Sequence, residues 1–298
     1  MTKIKNSIKE ILINLKISTN QSIKEFYPKV RDRDDVSILK CNKSGVILLS
    51  RTDHMSLEHY KEKPNFKYFG DNNREKALKI GEDDTYRRKK LIKNYIKNKN
   101  WLDFGTGSGG ILDSLKSSAK NCIAVEPNKI MRKKLLELGH NVYESIEETK
   151  DNFFDFVTLF HVFEHLINPI DTLKTIKTKM KNNSEILIEV PHARDFLIEY
   201  LDLESFKSFT FWSEHIILHV KNTLKLFLEK AGFEIIEIFG CQRYPLSNHL
   251  YWLRHNKPGG HKEWNMLNNN NLSEAYEIML SSIDMNDTLI IRGKKIED

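Results

Sequence analysis

The sequence predicts an α/β protein, a mostly parallel sheet with helices on both faces, preceded by a smaller N-terminal unit. Three observations carry this. From Phe66 onward, short apolar β-prone runs alternate with stretches patterned for helices. The first run, "NWLDF", is followed by "GTGSGG", a glycine turn that lets a strand bend sharply into a helix. The second run, "NCIAV", closes on the acidic residue Glu126.

In chain order, "DTYRRKKLIKNYI" reads as a helix and "NWLDFG" as a short buried strand. A further helix should start within the glycines and run through "GILDSLKSSA". "NCIAVEPN" is the second strand, "KIMRKKLLELG" a helix stopped at Gly139, "HNVYES" a weak third strand and "FDFVTLFHV" a strong fourth. "IDTLKTIKTKM" then reads as a helix, "SEILIEVPH" as a fifth strand ended by Pro191, "VKNTLKLFLEKAG" as a helix, "FEIIEIFG" as a strand and "DTLIIRGKK" as the last one. Between those two strands, residues 241–286 are too long for a tight connection and rich in aromatic and polar residues, which marks a lid or substrate wall. Residues 1–65 have another texture: an amphipathic helix in "MTKIKNSIKEILINLK", then two β-like runs, "VSILKC" and "GVILLS". The expected division is a cap over 1–65 and a larger domain over 66–298 that carries the insertion.

At 298 residues and 35.0 kDa the chain can bury a substantial core, and 40% hydrophobic with 30% charged residues suits a globular protein. Disorder is expected only at the ends and in the Asn-rich stretch Asn265 to Asn271. No apolar run is long enough for a bilayer, and the N-terminus lacks the pattern of a cleavable signal, so a cytoplasmic protein is expected. Three scattered cysteines, Cys41, Cys122 and Cys241, argue against a disulfide framework. The net charge of +6 is spread along helix faces with no aromatic pattern of a nucleic-acid reader, so neither nucleic acid nor membrane is expected as a partner.

Gly105, Gly107 and Gly109 let the backbone approach a nucleotide-like ligand, and Gly105, Gly107 and Gly110 also satisfy the G-x-G-x-x-G of dinucleotide enzymes. Asp103, just before the turn, would repel a pyrophosphate but accept from an ammonium, and Glu126 can take both hydroxyls of a ribose. Taken alone, Asp103 equally suits a helix N-cap and Glu126 an exposed strand-end charge. Ribose plus ammonium without phosphate describes S-adenosylmethionine.

"LDFGTGSGG", "AVEPN" and "FDFVTLFHVFEHL" together resemble the class I S-adenosylmethionine-dependent methyltransferases, within them the small-molecule and sugar methyltransferases similar to ubiquinone-pathway O-methyltransferases. The resemblance spans Asp84 to Gly240 plus the closing strand. It implies a Rossmann-like seven-stranded sheet whose last strand is antiparallel. Asp103, Gly105 and Gly107 would hold the methionine part, Glu126 the ribose, and Tyr143, Glu144 and Ser145 would flank the adenine. Phe104, Thr106, Gly109, Pro127, Phe160 and His161 complete the expected cofactor set, and Tyr86 and Arg87 would close over the cofactor carboxylate or form a plain solvated helix face.

Methyl transfer from a sulfonium is an in-line displacement, so the protein must align acceptor and methyl, with a base if the acceptor is a hydroxyl. His161 and His165, in "FHVFEHL", and His192, in "VPHARD", stand where that base is needed; the alternative is that each satisfies backbone groups. The spacing of His161, Glu164 and His165 with a later His192 is similar to the metal site of small-RNA 2′-O-methyltransferases, in which Glu stands first; here His does, and no metal is assigned. Phe211, Trp212, Glu214, His215, Arg243, Tyr244, Asn248, His249, Tyr251 and Trp252 form the expected substrate pocket, the alternative being an aromatic core. Similar segments occur among bacterial surface-polysaccharide methyltransferases, so the resemblance implies a sugar or nucleotide-linked sugar acceptor.

"VSILKCNKSGVILLS" is similar to the zinc-knuckle cap of some sugar methyltransferases. Cys41 is followed by Ser44 and no second cysteine pair exists, so a four-Cys zinc site is impossible. The ribbon is expected to cap the site or to help form a homodimer. The expected activity is methyl transfer from S-adenosylmethionine to oxygen. Other readings are methylation of RNA or of another small molecule, a nicotinamide-dependent oxidoreductase and a non-catalytic binding protein.

Overall fold

The computed structural model describes residues 6–62 and 73–297, so the expected boundary at residues 65–66 lies outside the described residues. Eleven strands form two sheets among them: β1 Ile23–Tyr27, β2 Ile38–Cys41, β3 Ile47–Leu49, β4 Asn100–Phe104, β5 Asn121–Val125, β6 Asn141–Tyr143, β7 Phe154–Phe160, β8 Met180–Pro191, β9 Ile217–Leu218, β10 Phe233–Cys241 and β11 Thr288–Lys295. The larger sheet has the order β10-β11-β8-β7-β4-β5-β6. β4, β5, β6, β7 and β8 run parallel, while β11 is antiparallel to both β8 and β10. This is the Rossmann-like sheet expected, with the closing strand inserted in reverse.

Strand residues alternate between two buried faces. Leu102, Val157, Leu159, Ile186, Ile188 and Val190 face one core with Leu173 and Ile176 of helix Pro169–Lys179 and Leu224, Phe227 and Leu228 of helix Lys221–Lys230. Trp101, Phe156, Phe160 and Leu187 face the other with Ile92 and Ile96 of helix Glu82–Ile96. The second face carries the polar residues at the strand ends, which locates the site.

The smaller sheet is antiparallel, β1-β2-β3-β9. Two of its strands are the runs expected; β1, "IKEFY", and β9 were not legible as strands. β9 is only two residues and pairs Ile47 with Leu218 and Leu48 with Ile217, so a segment following β8 completes the N-terminal sheet. Helix Ser7–Asn14 lays Ile8 and Leu12 on the same core that contains Leu102 and Val157. The insertion folds mainly as helices Leu246–His255, Gly260–Glu263 and Asn270–Ser282. Its Asn-rich stretch, expected to be disordered, is ordered because Asn269 caps the last helix, its side chain accepting from the amides of Asn271 and Leu272.

Candidate active site

At the end of β4 the chain turns through Gly105, whose φ of +77° and a Cβ position only 2.5 Å from Val162 Cγ2 exclude a side chain. Gly109 has a φ of +75°, which strains any side chain, and its Cβ would lie 2.4 Å from Leu135 Cδ2 of the helix Lys129–Glu137. The same glycine is expected from the sequence to let a ligand approach the backbone.

Asp103 is 2% exposed, and its Oδ1 accepts from Thr158 Oγ1 at 2.7 Å. The Thr158 hydroxyl in turn accepts from Trp101 Nε1 at 2.9 Å. Asp103 therefore caps no helix, and burial raises its pKa against the opposing hydrogen bond from Thr158. Glu126 is 4% exposed; its two oxygens accept from the amides of Gly107 at 2.7 Å and Asn128 at 2.8 Å. Burial pushes this carboxyl up to about 7 against those two bonds. Among the described residues, no basic side chain hydrogen-bonds either carboxylate.

Around these acids Thr106 is buried and Phe104 and Pro127 are half-buried, while the carbonyl of Tyr143 accepts from the amide of Glu126 at 3.0 Å. Glu144 instead pairs with Arg132 at 2.6 Å and Lys61 at 2.8 Å, and Ser145 contacts Glu148 at 3.4 Å. Helical periodicity turns Tyr86 away from the sheet, 60% exposed under Lys90.

Arg87 is placed differently from Tyr86. It faces the sheet, but its guanidinium is engaged by Glu189, at 2.7 and 2.8 Å, and by Asp84 at 3.0 Å. Arg88 joins the same carboxylate at 2.7 Å and lies over the Phe160 ring. Asp84 also receives Arg243, so this expected substrate residue is tied to the helix before β4. Burial would raise Glu189, yet the two guanidiniums and His161 hold it well below the usual carboxylate range.

His161 follows β7 with a left-handed φ of 54°. Its Nδ1 lies 3.1 Å from Glu164 Oε1 and its Nε2 3.3 Å from Glu189 Oε1. Its Nδ1 is within hydrogen-bond distance of Glu164, while its buried Nε2 has no hydrogen-bond partner among the described residues. His165 Nδ1 faces Tyr60 Oη at 3.3 Å, and burial lowers the pKa of His165 and, more strongly, of His215. Glu164, fully buried, would be raised by that burial, but His161, His165 and His215 hold it at about 2.

His192 is nearly sealed, with Nδ1 3.0 Å from the carbonyl of Asn286. That carbonyl can only accept, so Nδ1 carries the proton and Nε2 keeps its lone pair with no partner among the described residues. Burial pushes this imidazole down to about 4.

The expected substrate pocket divides. Trp212, Glu214 and His215 gather beside His165: the Trp212 and His215 rings stand edge-on to it at 6.2 and 5.0 Å, and Glu214 lies 3.0 Å from His59. The rest lie elsewhere, in contact with other parts of the chain. Phe211 packs on Phe26 and Tyr27, Trp252 on Phe206 and Phe209, and Tyr251 on His255 and Trp264. Asn248 Oδ1 lies 3.3 Å from both the Gly259 amide and His261 Nδ1, and His249 binds Tyr276 Oη at 2.7 Å, so both serve the helical insertion. Tyr244 stays partly exposed beside His261.

Residues 76–238, just over half of the chain, match the family described as Methyltransferase domain. The chain belongs to this family. The methyltransferase takes S-adenosylmethionine as its cofactor, as the domain implies. No curated protein matches the chain in sequence. It is similar in fold to a SAM-dependent methyltransferase from Archaeoglobus fulgidus, with 23% identity and a TM-score of 0.50 over 77% of this chain and 96% of the other. It is also similar to a structure of a complex between the Haloferax volcanii Trm112 methyltransferase activator and a methyltransferase, with 13% identity and a TM-score of 0.51 over 74% of this chain and 93% of the other. Four residues that contact the expected ones were not singled out from the sequence: Asp84, Arg88, Thr158 and Glu189. One signal was available for Glu189, a charge inside the apolar run "ILIEVP".

Proposed function

We propose that the protein transfers the sulfonium methyl of S-adenosylmethionine to an oxygen of a small polar acceptor, a sugar or nucleotide-linked sugar of surface-polysaccharide synthesis. The observation that carries the reading is the pair of buried acids, Asp103 and Glu126, at the ends of adjacent parallel strands, held only by hydroxyl and amide donors. An ammonium meets the first and a ribose the second, with the turn at Gly105 and Gly107 between them. Phe104, Thr106, Pro127, Tyr143, Ser145 and Phe160 remain the flanking cofactor contacts.

Oxygen as acceptor is favoured by His192, whose protonated Nδ1 leaves Nε2 as the proton acceptor. Trp212 and Glu214 supply a ring face and an acceptor for a polar substrate. The N-terminal sheet, completed by β9, serves as cap and as the surface for homodimerisation. No helix among the described residues is long and apolar enough to cross a membrane, which fits a cytoplasmic enzyme. The test is to supply purified protein and methyl-labelled cofactor to a metabolite extract and identify the labelled product. A labelled sugar ether supports the reading, a labelled amine or RNA replaces the acceptor, and no calorimetric binding of S-adenosylhomocysteine overturns the whole.

A further inference from the structure

We propose that the edge of Arg31 formed by Nε and Nη2 holds an oxyanion, a phosphate or a carboxylate, carried by the methyl acceptor. The protein would thereby select anionic acceptors, a role that rests on the methyl-transfer reading. Arg31 lies in the N-terminal unit, between β1 and β2, and is not among the expected substrate residues.

The sequence has eleven arginines, of which nine form ion pairs with carboxylates; among the described residues Arg31 and Arg254 form none. Arg254 stands in solvent in the last turn of helix Leu246–His255. Arg31 is held in place. Its guanidinium carbon lies 4.8 Å from the centre of the Trp212 ring and 5.4 Å from that of Phe209. Its backbone amide donates to the carbonyl of Phe211 at 2.9 Å, and Nη1 donates to the carbonyl of Phe209 at 2.9 Å. Two rings and a carbonyl orient the guanidinium without neutralising it. Nη1 is thus used, while Nε and Nη2 have no acceptor among the described residues. Parallel N–H groups of this kind are the fork with which arginine grips a carboxylate or a phosphate.

The nearest acids are engaged elsewhere. Asp32 accepts from the Ser213 amide at 2.9 Å and from its hydroxyl at 2.6 Å, and Glu214 lies 3.0 Å from His59. Burial lowers the pKa of Arg31 against the charges of these two acids, yet one side of the residue stays open to solvent. A partly desolvated cation whose neighbouring carboxylates already have partners is a site that an incoming anion completes.

The same contacts put this charge beside the acceptor crevice. Trp212, against which Arg31 lies, stands edge-on to His165 and His215, at 6.2 and 5.3 Å between ring centres. The Arg31 charge is also one of those that, after burial, lower the pKa of His215. Residues 209–218 carry Trp212 and His215 and end as β9 in the N-terminal sheet, so the Arg31 loop and this wall of the crevice are tied together. An acceptor anchored on Arg31 would cross one aromatic ring to reach the histidines. Fixing its anionic end limits which of its hydroxyls can meet the methyl group.

The experiment titrates the full chain by calorimetry with inorganic pyrophosphate and, separately, with malonate, each with and without S-adenosylhomocysteine. At least one anion should bind with one-to-one stoichiometry and bind about tenfold or more weakly in Arg31→Gln, and the tighter of the two names the source of the oxyanion. The methyl-labelled product from a metabolite extract should be retained on an anion exchanger at pH 7. Phosphodiesterase and phosphatase remove that retention if the group is a phosphate and leave it if the group is a carboxylate. With this acceptor purified, Arg31→Gln should raise KM about tenfold or more and change kcat by less than about twofold. Arg31→Lys, which keeps the charge without the planar fork, should fall between. Circular dichroism reports folding, and Arg31→Lys replaces Arg31→Gln if the latter does not fold. Binding of neither anion, anion binding or KM unchanged in Arg31→Gln, or a neutral labelled product overturns the proposal. Anion binding that depends on Arg31 in a chain that binds no S-adenosylhomocysteine keeps the anion site and overturns the methyl-transfer reading.

Discussion

Four carboxylates, all nearly sealed from solvent, stand at or just beyond the carboxyl ends of the parallel strands, and they divide into two pairs. Asp103 and Glu126 are held by a threonine hydroxyl and by two backbone amides, and their pKa values are raised. Glu189 and Glu164 are held by two arginines and by histidine, and theirs are lowered. Burial is nearly equal in the four, so the partner decides the sign. Neutral hydroxyl and amide dipoles do not offset desolvation here, whereas guanidiniums or histidine rings in contact do. On the proposed reading the first pair takes a ligand's positive or hydroxyl group, whereas the second already has basic side chains of the same chain beside it.

Changes that break this comparison should differ in size and kind. The largest belongs to the frame: Glu189→Ala takes the shared buried carboxylate from Arg87 and Arg88 and should cost about 3–5 kcal/mol in denaturant unfolding, as for other broken buried pairs. Asp103→Asn removes only a carboxylate that lacks a cation, so it should spare stability. On the proposed reading it weakens cofactor binding by about 1.5–3 kcal/mol, measured by calorimetry with S-adenosylhomocysteine.

A pH series separates the pairs next. Glu126 has a pKa of about 7 in the unliganded protein, and its ionised form is the one that accepts from a ribose. Affinity should therefore rise with pH through 7 and level off above it, by about tenfold between pH 6 and pH 8, and Glu126→Gln should flatten the profile. The stability sign is opposite. The folded chain holds this proton more tightly than the unfolded one, so Glu126 makes the unliganded protein less stable as pH rises from 4.5 to about 7. Smallest of all, Tyr86→Ala should change stability by no more than about 0.5 kcal/mol and leave cofactor affinity untouched, because the ring is in solvent.

The sheet was largely legible because its signals are local. Apolar runs such as "FDFVTLF" and the turn "GTGSGG" impose strand and bend whatever packs on them. Asp103 and Glu126 could be singled out because each stands at a fixed offset from a strand end. The acceptor side was harder. Trp252 and Trp212 have the same residue type and similar neighbours in sequence, yet one is packed between Phe206 and Phe209 and the other stands beside His165. The choice depends on which way a helix or loop faces once docked. Likewise β9 is too short to carry a pattern; it is a strand because β3 offers it an edge.

By itself the sequence determined the alternation of strands and helices, the glycine turn, and the acids that end the first two strands of the larger sheet, since steric preference and side-chain period act within a few residues. Only the tertiary structure decided which charges meet. Arg87 reaches Glu189 across 102 positions of chain, and Glu164 meets His215 where two loops are tied together. Nothing in either segment names its partner, because a contact between distant charges is fixed by which faces converge over the sheet, and that geometry exists only after the chain has folded.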